Sequence, residues 1–160
     1  MKKLMIIRSV SFQQLDLNLK AIKEKYPDHE ISILTHEHGV KLAEKYKDIE
    51  KIYVYPYKSG FESGNKVKEI ENVKFDVVIV PVTNLSGAGF FNVLKYSLTF
   101  KTDKIVMCNL VSDLKDMTRT SIYLLEASNF LFKVVSGIFT GIVSIIFIPF
   151  LFLKLKGGKK

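Results

Sequence analysis

Apolar positions along this chain shift between continuous runs, alternation and helical spacing, and the shifts predict an α/β domain. Residues 3–9 (KLMIIRS) form a short Ile-rich run, as expected of a strand buried on both faces. Residues 12–26 place Leu15, Leu19 and Ile22 on one helical face, and Pro27 and Asp28 end that helix. Residues 30–35 (EISILT) alternate as a second strand. Glu37 to Tyr46 read as a helix burying Val40, Leu42, Ala43 and Tyr46. Residues 51–55 (KIYVY) make a third strand, closed by Pro56.

A Gly-containing loop, 58–65, leads to a short helix expected over 66–72. Residues 75–81 (FDVVIVP) are the most apolar strand of the globular part, which predicts a central place in the sheet. A turn over 84–89 opens a helix over 90–100, with Phe91, Leu94 and Leu98 on one face. Residues 104–108 (KIVMC) give a fifth strand. Strands alternating with helices predict a Rossmann-like, mostly parallel sheet of about five strands flanked by helices. Residues 110–120 read as loop or weak helix, and 121–133 as an amphipathic lead-in.

Val134 to Leu153 carries no charge (VVSGIFTGIVSIIFIPFLFL). About 20 residues at 1.5 Å each cross the roughly 30 Å hydrocarbon core of a bilayer. The expected organisation is a Rossmann-like domain over 1–109, a linker and lead-in over 110–133, a membrane helix over 134–153 and a basic tail over 154–160. Gly137 and Gly141 form a small-residue face for helix packing. Pro149 is a candidate kink.

Charge sharpens this picture. The net charge is +8. Residues 131–160 hold five lysines and no acid, so +5 of it lies there. Lys154, Lys156, Lys159 and Lys160 suit anionic headgroups, which makes membrane lipid an expected partner. The globular part has no basic cluster with interleaved aromatics, so nucleic acid is not an expected partner. The single cysteine, Cys108, rules out an internal disulfide and sits in an apolar run, as a core residue does. The first residues lack the apolar length of an export signal, so the globular part is expected in the cytoplasm, at an inner or plasma membrane.

Candidate chemistry gathers at predicted strand ends. Asn84, Ser86, Gly87 and Gly89 form a turn between a buried strand and a helix, where backbone amides favour an anion. The same residues also serve a plain tight turn capped by Asn84 or Ser86. The third glycine of a dinucleotide fingerprint is replaced by Asn92, and no cofactor is expected. Arg8 and Ser9 end the first strand, where Arg8 can hold a phosphate or carboxylate. His36 ends the second strand. With His38 it offers two imidazoles but no third ligand, so no metal site is expected.

With these elements in place, residues 1–109 resemble the N-terminal half of a GT-B glycosyltransferase of the heptosyltransferase (ADP-heptose) kind. The resembling pieces are MKKLMIIRS, LKAIKEKYPDHEISILT, KYKDIEKIYVYP, FDVVIVPVTN and KTDKIVMCN. The Gly-Asp turn that supplies the family's base is missing; the segment here is Ser9-Val10-Ser11-Phe12-Gln13-Gln14, and its role does not pass to Asp16. The family's donor-binding half is also missing. The resemblance implies a membrane-anchored half-transferase of cell-surface glycan biosynthesis. It would hold a lipid-linked glycan acceptor and need a donor-binding glycosyltransferase subunit. The alternative is a non-catalytic membrane scaffold that keeps the fold.

Overall fold

A computed structural model describes residues Lys2–Gly157, with side chains described as far as Ile145 and at Phe147 and Ile148. The elements in chain order are β1 (Lys2–Ile7), α1 (Phe12–Lys25), β2 (His29–His36), α2 (Val40–Ala43), β3 (Lys51–Tyr55), β4 (Lys74–Pro81), α3 (Phe91–Ser97), β5 (Lys101–Cys108), β6 (Leu114–Met117) and α4 (Arg119–Gly157). The sheet has six strands in the order β3-β2-β1-β4-β5-β6. Five run parallel, and β6 pairs antiparallel with β5. The domain is therefore α/β with a Rossmann-like, mostly parallel sheet flanked by helices.

The core follows from the strand sequences. Leu4 to Ile7 of β1 and Val78 to Val80 of β4 are fully buried. Successive side chains point to opposite faces, so both faces of these strands are covered. On one face Leu4, Ile6, Ile33, Val77 and Ile79 pack against Leu15, Leu19 and Ile22 of α1. The other face carries an aromatic cluster. Tyr55 lies 4.7 Å from Phe61 and 5.6 Å from Tyr96 of α3 between ring centroids.

Helix α1 begins where the Ser11 side chain accepts from Gln14 N, at 3.3 Å. Its buried face is not wholly apolar. Gln14 Nε2 donates to Asn18 Oδ1 at 2.6 Å and to the Leu110 carbonyl at 3.1 Å. Asn18 Nδ2 donates to Cys108 Sγ at 2.6 Å and to the Asn109 carbonyl at 3.1 Å. Burial pushes the Cys108 thiol pKa up, and the Asn18 contact partly opposes that. This network ties α1 to the end of β5 and to the hairpin loop over 109–113.

The structure departs from the sequence expectation at several elements. Residues 114–117 form a sixth strand, not loop or weak helix. LKDM is too short and polar to announce itself; pairing with β5 makes it a strand. Residues 37–46 form a 3-10 turn and only four residues of α-helix. Leu42, expected inside, is largely exposed, because so short a helix presents only Ala43 fully inward. Residues 66–72 are turns that bury Val67 and Ile70, not a helix.

The chain divides into two compact units, one through Tyr123 and one from Leu124. The first takes in β6 and the opening turn of α4. Thr118 and Ser121 cap that turn reciprocally: Ser121 N donates to Thr118 Oγ1 at 3.1 Å, and Thr118 N to Ser121 Oγ at 2.9 Å. Ile122 is fully buried. In the second unit the lead-in runs directly into the apolar run as one helix. Arg119–Ile145 is long and apolar enough to cross a membrane. Thr140 Oγ1 donates to the Ser136 carbonyl at 2.8 Å, which satisfies its hydroxyl within the helix. A Cβ added at Gly137 or Gly141 would meet nothing within 4 Å. The basic tail falls at the edge of the described residues; the side chains of Lys154 and Lys156, and all of Lys159 and Lys160, lie outside them.

Two predictions follow from this packing. Asn18→Ala removes one of the two partners of the Gln14 amide and of the Asn109 carbonyl, which keep only the Leu110 carbonyl and Ser112 N, and removes the donor to Cys108. It is expected to cost about 1–3 kcal/mol, read as a lower unfolding midpoint of the full chain in detergent. The second concerns Tyr46, whose hydroxyl donates to Asp16. Burial first, and then that hydrogen bond, push its pKa from 10.0 up to about 12. The folded state thus keeps this proton longer than the unfolded chain. The stability it contributes is complete below pH 10.0 and is lost as pH rises through about 12. Melting temperatures measured across that window should fall with pH, and Tyr46→Phe should flatten the fall.

Candidate functional site

The strand order reverses direction between β1 and β4. From β1 the chain leads outward to β2 and β3, and from β4 outward to β5 and β6. The connections at the strands' C-terminal ends diverge there and leave a crevice. A cleft of about 520 Å³ occupies it, lined among others by Arg8, Ser9, His36, His38, Gly89 and Phe90. Ser9 Oγ donates to the Pro81 carbonyl, so its hydroxyl ties the ends of β1 and β4 across the reversal.

Arg8 is the cleft's cation, and it is half-buried. Its Nε donates to Thr35 Oγ1 at 2.7 Å and its Nη1 to the Val10 carbonyl at 3.1 Å. Nη2 lies 3.4 Å from His38 Nε2, a distance at which that nitrogen accepts. The guanidinium also sits over Phe12, 4.8 Å from its centroid. None of these partners is a carboxylate. Among the described residues no Asp or Glu pairs with Arg8, and no acid lines the cleft. Burial pushes its pKa down, the direction expected of a cation held without a counter-charge. Gly39 makes room for this arrangement. A Cβ there would collide with Thr35 Oγ1 and stand 3.2 Å from Arg8 Nη2.

His36 and His38 lie nearly parallel, 5.5 Å apart. His36 Nε2 is 3.2 Å from the Ser59 carbonyl, to which it donates. The His36 ring also meets Tyr55 at 5.1 Å and Phe61 at 4.9 Å, so it bridges the cleft and the aromatic cluster. Among the described residues no group of three His, Cys, Asp or Glu converges on a metal position.

Asn84, Ser86 and Gly87 are not among the cleft lining; they build the turn beside it. Asn84 Oδ1 accepts from Ser86 N at 3.1 Å and Gly87 N at 2.6 Å, and Asn84 Nδ2 donates to the Ala88 carbonyl at 2.7 Å. Ser86 Oγ accepts from Ala88 N at 3.4 Å. The amides of Ser86, Gly87 and Ala88 are therefore engaged inside the turn. Gly87 and Gly89 do adopt positive φ, 78° and 84°, where a side chain is strained. A second, smaller cavity of about 310 Å³ lies near the strands' N-terminal ends, between residues 63–72 and the end of α3. Its lysines are engaged: Lys66 pairs with Glu71, and Lys101 bonds Asn72.

Comparison with known proteins bears on this geometry. A probable nicotinate-nucleotide adenylyltransferase of Flavobacterium johnsoniae is 31% identical over 85 residues, covering 49% of this chain and 43% of that protein. The similarity is to a nucleotidyltransferase. The chain thus spans less than half the length of the relative it matches. No family model and no solved structure matches the chain.

This match overturns the resemblance to a heptosyltransferase, and with it the reading as half of a glycan-building transferase or a scaffold derived from one. The physical reason lies in the pieces that carried the resemblance. A buried first strand, a helix stopped by Tyr-Pro-Asp and a second strand are what any parallel α/β unit needs. They specify the sheet and not the chemistry. Sequence reasoning missed Thr35 and Gly39, which fix Arg8. Their only signal was position: a small polar residue and a glycine flanking the end of a buried strand.

Gly39→Ala should therefore disturb the cleft through Arg8. Displacing the Thr35–Arg8 hydrogen bond is expected to lower the unfolding midpoint of the full chain, a loss of about 1–3 kcal/mol. An unchanged midpoint would show that Arg8's position does not depend on Gly39.

Proposed function

We propose that this chain is a nucleotide-binding domain of nucleotidyltransferase type carried on a membrane-spanning helix. Its cleft between β1 and β4 takes a nucleotide phosphate on Arg8. The observation that carries this reading is the Arg8 guanidinium, held at the switch point by acceptors none of which is a carboxylate. An anion entering the cleft would supply the missing counter-charge. A guanidinium presents a planar fork of donors that matches phosphate oxygens. The partial similarity to an adenylyltransferase points the same way, since such an enzyme by its name handles nucleotides.

The cleft's other groups suit a nucleotide. His36, Phe61 and Phe90 offer aromatic faces beside the cation. Nucleotidyl transfer joins a phosphate oxygen to phosphorus and expels a phosphate leaving group, and it depends on neutralising the charge that spreads over those oxygens. Arg8 supplies that here, and His36 and His38 are the lining groups able to move a proton. A domain with this ligand faces the compartment that holds nucleotides. The globular unit is accordingly placed on the cytoplasmic side of an inner or plasma membrane.

The test is a titration of the full chain in nanodiscs with AMP, ATP and adenosine. Phosphorylated ligands should bind at least tenfold more tightly than adenosine, and Arg8→Gln should erase most of that difference, since a hydrogen bond to a charged group contributes about 1.5–3 kcal/mol. Equal binding of adenosine and AMP by the natural chain would refute the reading.

A further inference from the structure

His38 touches the cleft's cation and belongs to the one residue type that ordinarily changes charge near neutral pH. Its Nε2 lies 3.4 Å from Arg8 Nη2, while Thr35 Oγ1 and the Val10 carbonyl hold Nε and Nη1 of the same guanidinium. Only a ring without a proton on Nε2 accepts from that N–H, so the contact selects the neutral tautomer protonated on Nδ1. A proton added at Nε2 would set two N–H groups head to head. It would also bring a second cation against Arg8, and among the described residues no acid lines the cleft to offset it.

The groups around His38 do not supply that balance. His36 stacks on it at 5.5 Å, but its Nε2 donates to the Ser59 carbonyl, so gaining a proton neither makes nor breaks a bond to Arg8. Tyr55, behind His36, gives its hydroxyl to the Gly60 carbonyl. Glu37 shares the turn of His38, and Lys41 follows on α2; Lys58 and Glu62 flank the loop that receives the His36 bond. All four are exposed, and their signs offset. On α1, Asp16 is taken by the Tyr46 hydroxyl. Residues 82–94, which close the far side, contain no charged residue.

We propose that the cleft takes up an anion and a proton together, with His38 Nε2 as the proton's site. An anion seated on Arg8 cancels the charge that keeps His38 neutral and takes over the Nη2 N–H. Nε2 then binds a proton from solvent and donates it to the same anion, which is a charge-assisted hydrogen bond. His38 thus positions Arg8 in the empty cleft and becomes a ligand in the filled one. Acidification tightens the hold on the anion. This coupling rests on the reading of Arg8 as a phosphate site and adds its regulation.

Sulfate is the probe, because its charge stays fixed across the range and any pH dependence then belongs to the protein. The full chain in phosphatidylcholine nanodiscs is titrated by calorimetry in two buffers of different ionisation enthalpy, whose difference in heat gives the protons taken up. Sulfate should bind about tenfold more tightly at about pH 5.5 than at about pH 8, with uptake of roughly half a proton or more at about pH 7. His38→Gln, at an exposed position, offers an acceptor that takes no proton and should abolish both the uptake and the pH dependence. Sulfate binding without proton uptake would overturn the coupling and leave the Arg8 reading standing. Uptake that survives His38→Gln and disappears with His36→Gln would also overturn it. Absence of sulfate binding across the whole range would remove the anion site itself, and the coupling with it.

Discussion

Pairing of β1 with β4 is the constraint on which the rest of the domain depends. These two strands are adjacent in the sheet although 66 residues, 8–73, lie between Ile7 and Lys74, and their register runs from Leu4 opposite Val77 to Ile6 opposite Ile79. Because Leu4 to Ile7 are buried on both faces, a register slip by one residue would exchange the side chains of the two core faces and break the packing on each. The pairing also sets the point where the chain's excursions diverge, and so creates the crevice. Ser9, bonded to the Pro81 carbonyl, closes the top of that pair and leaves Arg8 beside the opening. A residue one step beyond a strand is fixed almost as firmly as the strand itself, which is why the cation's position is a product of the sheet.

The same domain handles its polar groups in two contrasting ways. Gln14, Asn18 and Asn109 form a satisfied network, with amide donors matched to carbonyls and a thiol. Burying such groups is tolerable only when partners are present. Arg8 is the opposite case: its hydrogen bonds are partly met, its charge not at all. The first pattern stabilises and shapes the loops; the second leaves a cation without a paired acid. Side-chain chemistry alone would not separate them, since both consist of polar residues on elements that face the core.

Much of the fold was legible because its signals are local. The runs of β1 and β4 and the Leu15–Leu19–Ile22 stripe follow from how each element is buried, and the structure keeps them; β2 is a strand as expected, but from Ile31 to Thr35 it is buried on both faces and does not alternate. The strand β6 was not legible. Its four residues gain their conformation from the neighbouring β5 rather than from their own sequence. Nor was the exposure of Leu42 legible, because it depends on how few helical turns follow Gly39. At the site, Arg8, Ser9, His36 and Gly89 could be named because strand ends and glycines show in one dimension. Thr35, Gly39 and Asn18 could not, since each matters only through a contact set by tertiary packing.

The route by which α4 joins the domain has a mechanical consequence. Helix α4 follows β6 directly, and its first turn is seated by the Thr118–Ser121 cap and by Ile122. A pull along α4 enters the fold at that seat and passes into the four-residue ladder between β6 and β5. This ladder lies at the sheet's edge, with β5 between it and β4. Force strong enough to strain the fold would strip the edge strand first. The edge strand is thus a fuse, which gives way before tension reaches the β1–β4 seam.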